Sequence, residues 1–405
     1  ANNSTETDYT KGTLLHENQT APMTLSNTGR YIIVVTTEDM AGDTYSEAGN
    51  KSTNTYYVVI DKDIPTITAT PDKTTNASAN DYVKTQNVTL TVAEIGAGLD
   101  STNVYEYCLV LDKELDGRFT ATDISDAQSA NETKWKEYES GTGFEIGENK
   151  LTGTYYLIVR TIKDNAGNVS VNNTQTIGGT SYHQFGPYKF DNTVPTINIS
   201  YNPTEHTKYK QVHTPTVTIV DNNTTVLPDE EAGVNTSTLK YQWIQSSETP
   251  TENSFTTATY KGTFTNTSNE PINTPAGETG ENWHLWILAK DNLGNTKITG
   301  AGPFYLDNTK PVITANPDTK EVSKNTDVTI TIKEANSGLD DTNNSYQYFL
   351  STSATELTSV ATGSIFGVQQ SLTNYTLGTA NASGERTATI NIGSTETGTR
   401  YLFVK

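Results

Sequence analysis

The residues best suited to chemistry in this chain are carboxylates and amides that recur at one spacing. KDNAGN at 163–168 returns as KDNLGN at 290–295 and, more loosely, as EDMAGD at 38–43. The first two copies directly follow alternating apolar runs, TGTYYLIVRTI at 152–162 and TGENWHLWILA at 279–289. Such hard oxygens suit two roles. Calcium takes about six to eight oxygen ligands from carboxylates, amide carbonyls and backbone. Asp and Asn also close turns by bonding their own backbone, with Gly supplying the positive φ. Both readings stay open at this point.

Other chemistry finds little support. His16, His183, His206, His213 and His284 are dispersed and show no metal-ligand spacing. Cys108 is the one cysteine, so no intrachain disulfide can form. It follows Tyr107 in a strand-like run and reads as a small buried hydrophobe. No phosphate loop, nucleophile elbow or dinucleotide fingerprint is present, and no pair of acids sits in a catalytic frame. An enzyme is not expected. Trp135, Trp243, Trp283 and Trp286 would make a sugar platform if exposed together, but Trp243 and Trp283 fall at core-like positions, which favours packing.

The acids outnumber the bases, 47 to 27, giving a formal charge of −20. A nucleic acid would be repelled, and divalent cations attracted. No apolar run is long enough to span a bilayer, so no membrane segment is expected in this stretch.

The elements that must position the repeated turn recur with it. IDKDIPTITAT (60–70), FDNTVPTINIS (190–200) and LDNTKPVITAN (306–316) place Pro65, Pro195 and Pro311 at equivalent points, roughly 120 residues apart, the size of whole small domains in tandem. A Gly-containing loop and a Tyr-rich run open each unit: AEIGAGLDSTNVYEYCLV (93–110), EEAGVNTSTLKYQWIQ (230–245) and EANSGLDDTNNSYQYFL (334–350). Aromatics two apart, Tyr105/Tyr107, Tyr241/Trp243 and Tyr346/Tyr348, mark strands. In the strand before the turn, Tyr156, Ile158, Arg160 and Ile162 match Trp283, Leu285, Ile287 and Ala289, and Tyr31, Ile33, Val35 and Thr37, so one parity is expected to face the core, with Arg160 unexplained. Short strands punctuated by Gly, Asn, Asp and Pro, with no helical period, predict antiparallel sandwiches.

This combination of a GAGL or NSGL loop, TGxYxLxV, KDNxGN and a closing FDNTVP or LDNTKP resembles the bacterial immunoglobulin-like (Big-type) tandem repeat domains of large cell-surface and adhesin proteins. The resemblance implies an all-β chain of tandem immunoglobulin-like antiparallel β-sandwiches arranged as an extended rod, extracellular at a cell surface. The expected divisions are the C-terminal part of a domain at 1–64, whole domains at 65–194 and 195–310, and a domain at 311–405 truncated before its last strand. The chain then reads as a piece of a longer protein.

In that topology the linker, the loop after the second strand and the repeated turn share one pole, which gathers acids. The candidate interdomain calcium ligands are Asp61, Asp63, Glu94, Asp100 and Asp164; Asp191, Asp221, Asp229 and Asp291; and Asp307, Glu334 and Asp340. Asn-x-Ser/Thr sequons at Asn76, Asn87, Asn131, Asn168, Asn198, Asn235, Asn266, Asn374 and Asn381 are candidate glycosylation sites.

The leading functional expectation is a non-enzymatic stalk or filament segment whose partners are neighbouring modules, other copies in a filament, or a host or cell-surface ligand. A second is an adhesin module that binds a glycan or host protein through its variable middle, 113–150 or 247–280. A third is an ancillary region of a secreted enzyme.

Overall fold

A computed structural model of the chain describes residues 24–39, 50–72, 82–147, 150–221, 231–318, 326–340, 342, 345–352, 375–393 and 397–404. The chain divides into two compact units, residues 1–193 with 223–232, and 194–222 with 233–405.

The first unit begins with an antiparallel hairpin, β1 (Gly29–Glu38) and β2 (Lys51–Ile60), in register from Gly29–Ile60 to Glu38–Lys51. There follow β3 (Thr66–Pro71), β4 (Gln86–Ala93), β5 (Glu106–Leu111), helix α1 (Ala121–Ala127), β6 (Lys136–Glu137), β7 (Gly143–Ile146), β8 (Gly153–Arg160), β9 (Thr174–Ile177) and β10 (Thr180–Phe190). Two sheets result, β3-β4-β7 and β6-β5-β8-β10-β9. Ile67, Val88, Leu90 and Ile146 of the first meet Tyr107, Leu109, Leu157, Val159 and Phe190 of the second in one buried core. Sheet on sheet with alternating inward residues is a β-sandwich.

The second unit repeats the plan. Its elements are β11 (Thr196–Ser200), β12 (Thr216–Val220), β13 (Lys240–Ile244), α2 (Ser254–Thr257), β14 (Tyr260–Thr263), β15 (Glu270–Pro271), β16 (Gly280–Lys290) and β17 (Thr296–Leu306). Sheets β11-β12-β15 and β14-β13-β16-β17 enclose Val217, Ile219, Trp243, Leu285, Ile287 and Phe304. After them come β18 (Val312–Asn316), β19 (Thr326–Lys333), β20 (Ser345–Tyr346), β21 (Tyr348–Ser351), β22 (Tyr375–Thr376), β23 (Arg386–Ile392) and β24 (Tyr401–Val404). Here the pairings are β18-β19-β23, β20-β22 and β21-β24, around a smaller core of Ile330, Ile332, Tyr346, Leu377 and Ile390.

Two expectations are corrected. The first is the single core-facing parity. In β16, Trp283, Leu285, Ile287 and Ala289 do face the main core. In β8 the main core takes Tyr155, Leu157 and Val159, while Tyr156 and Ile158 belong to a separate cluster on the outer face. The alternation breaks at a different end of each run. β16 shifts early, between Gly280 and Trp283, where Asn282 has φ +64. β8 ends at Arg160, and Ile162 two residues later is again in the main core. A one-residue irregularity reverses which side chains point inward. Arg160 is thereby explained. It lies on the outer face, its Nε donating to Glu106 Oε2 at 2.6 Å, with its guanidinium 4.3 Å from the centre of the Trp135 ring.

The second correction concerns helices. The variable middles are not bare loops; each carries a short helix onto the outer face of the larger sheet. In α1, Thr120 and Asp123 form a reciprocal capping box, and the helix seats Phe119 and Ala127 over Cys108, Val110, Ile158 and Ile177. In α2, Phe255 covers Trp286 and Leu288. Helices of one or two turns carry no detectable period in sequence, and tertiary packing, with the capping box at α1, holds them. The Cys108 thiol, fully buried here, is pushed up to about 12 by burial, so it is no reactive thiolate at neutral pH.

If the outer layer is part of the folded core, Phe255→Ala should cost about 3–5 kcal/mol in denaturant unfolding. A loss under about 1 kcal/mol would show that the α2 segment is a dispensable surface loop.

Candidate functional site

The repeated turn is a side-chain clasp. The Asp164 carboxylate accepts the Asn168 backbone N–H at 2.8 Å and Asn168 Nδ2 at 2.7 Å, while the Asp164 N–H donates to Asn168 O at 3.0 Å. Asp291 and Asn295 repeat all three bonds, at 2.7, 2.6 and 3.2 Å. Asp39 makes the same set with Asn50, so in the loosest copy the clasp partner is Asn50. Gly167 (φ +90) and Gly294 (φ +82) take the left-handed conformation between the clasp partners. The intervening Asn reaches outward. Asn165 donates from its N–H to Gly98 O and from Nδ2 to Ala97 O, and the Asn292 N–H donates to Gly233 O. The turn is thus bolted to the Gly-containing loop.

The linker motif is latched in both directions. Asp307 Oδ1 accepts the Thr309 N–H at 3.0 Å and the Thr309 hydroxyl at 2.5 Å, and Oδ2 accepts the Ser337 N–H at 3.0 Å. Asp191 does the same with Thr193 and, within the first unit, with the Ala232 N–H at 2.8 Å. Asp61 accepts the Asp63 N–H at 2.9 Å and the Ala97 N–H at 2.5 Å. Each aspartate therefore ties the end of one strand pair to the loop after a later strand. A Cβ at Gly96 would overlap the Asp61 carboxylate, which is why the loop needs glycine there. The next residue points backward. The Asn192 N–H donates to Thr152 Oγ1, and its Nδ2 to Leu151 O and Lys84 O. Asn308 repeats this with Thr279 Oγ1, Glu278 O and Gln211 O, and the Lys62 N–H donates to Thr28 Oγ1. The Thr of each "TG" pair is a linker anchor that sequence reasoning missed. Its signal was present in the repeated TG.

Of the predicted cation ligands, Asp61, Glu94 and Asp164 come together, each offering a carboxylate oxygen within 4.8 Å of the others. Asp61 and Asp164 are hydrogen-bonded as described. Both oxygens of Glu94 are buried and accept no hydrogen bond from any described residue. A buried, unpartnered carboxylate is costly, so the donor set fits a hard cation. One difference from the other two latches lies at residue 63, and at the third Glu334 also accepts the Asn336 N–H at 3.0 Å. At the corresponding position the Thr193 hydroxyl donates to Glu231 Oε1 at 2.9 Å, and the Thr309 hydroxyl lies 3.4 Å from Glu334 Oε1. Asp63 has no such proton to give.

Other candidates are placed elsewhere. The Asp100 carboxylate binds the Thr102 N–H and hydroxyl and Lys163 Nζ; chiefly the Thr102 N–H brings it down to about 2. Asp340 closes the equivalent turn on Thr342. Asp63 is exposed and contributes its N–H to the latch. Asp191 is assigned to the first unit, and Asp221 and Asp291 to the second. Asp229, Asn76 and Asn374 lie outside the described residues. Among the sequons, Asn87, Asn131, Asn198 and Asn381 are exposed. Asn168 Nδ2 also donates to Asp61 O, and Asn266 Nδ2 to Ile219 O, so a glycan on either would break a bond. Asn235 caps a short 3-10 turn, Asn381 clasps Glu385, and Asn87 faces Asp72.

Electrostatics follow the bonds. Burial pushes the Asp164 carboxyl up, but donation from Asn168, Ala166 and Gly167 outweighs it and holds the group below its usual value. Burial likewise pushes Asp307 up, and hydrogen bonds from Ser337 and Thr309 carry it well below the carboxylate range.

No family model matches the chain, and no curated protein matches it. Among solved structures it is similar to the chicken CNTN1 FN1–FN3 domains (10% identity, 84% of this chain and 92% of that chain covered, TM-score 0.29). It is also similar to a Ca2+-stabilized adhesin that helps an Antarctic bacterium bind ice (14%, 91% and 74%, TM-score 0.27) and to the human desmocollin-1 ectodomain (12%, 93% and 62%, TM-score 0.22). These superpositions are loose, and the sandwich assignment rests on the sheets themselves.

Because the folded-state value of Asp307 is depressed, its contribution is full above the unfolded value of 3.8 and is lost as pH falls through and below it. Asp307→Asn should therefore lose about 1.5–3 kcal/mol at pH 7 and show a shallower fall in stability below pH 4. An acid limb unchanged in slope would show that the latch is not a charged one.

Proposed function

We propose that this chain is a non-enzymatic segment of a prokaryotic cell-surface stalk, in which immunoglobulin-like modules at 65–194, 195–310 and 311–405, with part of another at 1–64, space or display an adhesive region. The observation that supports it most is the two-way latch at Asp61, Asp191 and Asp307. Sequence motifs that return three times are committed to the same task, holding a linker against the strand pair before it and the loop after it. Chemistry that fixes joints is what a spacer requires. If this reading is right, replacing residues 65–194 in a cell-displayed chain with an unrelated sandwich of equal length should leave surface attachment unchanged. Loss of attachment would assign recognition to the replaced module.

The Asp61–Glu94–Asp164 cluster supports a calcium ion at the first latch, held by those three carboxylates. When bound, the ion would neutralise the orphaned Glu94 and stiffen the joint. A ligand that binds only the folded state raises stability, by about 2.7 kcal/mol at a hundredfold excess over its Kd. Calcium should raise the Tm of the first unit relative to chelator, and Glu94→Gln should abolish the rise. Asp63→Thr supplies the hydroxyl that the other two latches have and should raise the chelator Tm while shrinking the calcium effect. Identical curves for the unaltered chain with calcium and with chelator would leave the cluster as turn chemistry alone.

A further inference from the structure

The first unit buries a histidine that the latches do not use. His183, on β10, is wholly excluded from water, and its ring stacks on Phe185 at 6.2 Å between centres. Its Nδ1 lies 2.5 Å from the Asn172 carbonyl oxygen and its Nε2 lies 2.7 Å from Ser170 Oγ. A carbonyl can only accept, so the ring proton sits on Nδ1, and Nε2 accepts from the Ser170 hydroxyl. That hydroxyl oxygen accepts the Ile162 N–H at 2.9 Å in turn. With a neutral ring, each of these groups has a partner.

A second ring proton breaks that arrangement. It must go on Nε2, which then donates to Ser170 Oγ, and the hydroxyl of the wholly buried Ser170 loses its acceptor. The imidazolium would also be a buried cation without a counter-charge. Across the ladders the ring's residue faces Val159 on β8 and Thr174 on β9. Neither β3 nor β9 carries a charged residue. Arg160 of β8 is bound to Glu106 on the outer face, and Lys189 of β10 lies over the Tyr82 ring. On the segment 162–172, which supplies the ring's partners, Lys163 and Asp164 are held by Asp100 and Asn168. Burial accordingly pulls the imidazole below its ordinary value of 6.5, against the upward effect of the Asn172 bond.

The same segment holds the first strand of the module. Asn172 Oδ1 accepts the Ile67 N–H at 3.3 Å, and Asn172 Nδ2 donates to Ile67 O at 2.7 Å. Ile67 is fully buried in β3, the strand that leads into the module from the Asp61 latch and Pro65. The neutral imidazole thus props the segment that clamps β3. We propose that His183 is an acid switch on this joint, in which protonation of the ring displaces the segment at residues 170–172 and releases Ile67 from its clamp. This goes beyond the stalk reading, and its failure would leave the latch and calcium results untouched.

Because the folded-state value is depressed, the stability that the neutral ring contributes is complete above 6.5 and is lost as pH falls from there toward the folded-state value. A ring that stays neutral in the closed state to pH 5 makes opening about 25-fold more favourable at pH 5 than at pH 7. Amide hydrogen exchange on the whole chain at both pH values, corrected for intrinsic rates, reads this opening at the Ile67 N–H. Protection there should fall by about 3-fold to 25-fold. His183→Gln keeps a donor and an acceptor but no titratable proton, and should leave Ile67 equally protected at the two pH values. If that variant fails to fold, the imidazole NMR signals of the unaltered chain serve instead, and the ring should take its second proton together with the loss of Ile67 protection. A fall under about 3-fold would overturn the proposal, as would a fall equally large in folded His183→Gln or a ring that charges while Ile67 stays protected.

Discussion

A carboxylate that is taken out of water must find donors or neutralise, and this constraint organises the linkers. Asp191 is fully buried and Asp307 nearly so. Each accepts N–H groups drawn from two segments far apart in sequence. The donors are backbone, so the loop that supplies them has one admissible path past the carboxylate. At Asp61 that path runs through Gly96, at φ +132, where any side chain would collide with the acid. The Gly-containing loop, the closing DNT and the repeated turn are therefore one device. The turn's first Asn holds the loop, and in the first unit its last Asn donates to the linker as well.

Thin cores explain why such devices carry so much of the specification. Hydrophobic residues make up only 33% of the chain, and the larger sheets bury apolar residues on both faces. The outer clusters under α1 and α2 add a second, smaller layer to sandwiches whose main cores take one side chain from every second position. An element with both faces buried tolerates neither a register slip nor an unpaired polar group cheaply. Asp–Asn clasps at 164–168 and 291–295 pin the register at the end of the strand pair, where ladder bonds run out.

How far sequence alone could read this molecule depended on the range of the interaction. The strand runs and the core positions of Tyr107, Trp243 and Trp283 follow from period-two patterning, which is local. The parity of β8 did not, because the aligned runs 152–162 and 279–289 break their alternation at different ends, and a bulge leaves no mark in residue type. Arg160 was the visible symptom, an impossible core residue that turned out to face Glu106 and Trp135. The helices escaped because seven and four residues are too few for a 3.6 period. At the site, the convergence of Asp61, Glu94 and Asp164 was legible from topology and repeated motifs. The bonding of Asp100 and Asp340 to their own turns was not, since a carboxylate two residues before a threonine can as well point away.

The two readings of the repeated turn, closure and cation binding, reduce to what stands opposite one glutamate. Asp164 and Asp61 have hydrogen-bond donors whether or not an ion is present, so neither requires one. Glu94 differs. The Thr309 hydroxyl donates to Asp307 at 2.5 Å and lies 3.4 Å from Glu334, which accepts the Asn336 N–H. Replacing that threonine by an acid, as at residue 63, removes the proton and adds a negative charge. The resulting joint leaves Glu94 without a donor among the described residues, whereas at the threonine joints a hydroxyl lies within reach of the glutamate.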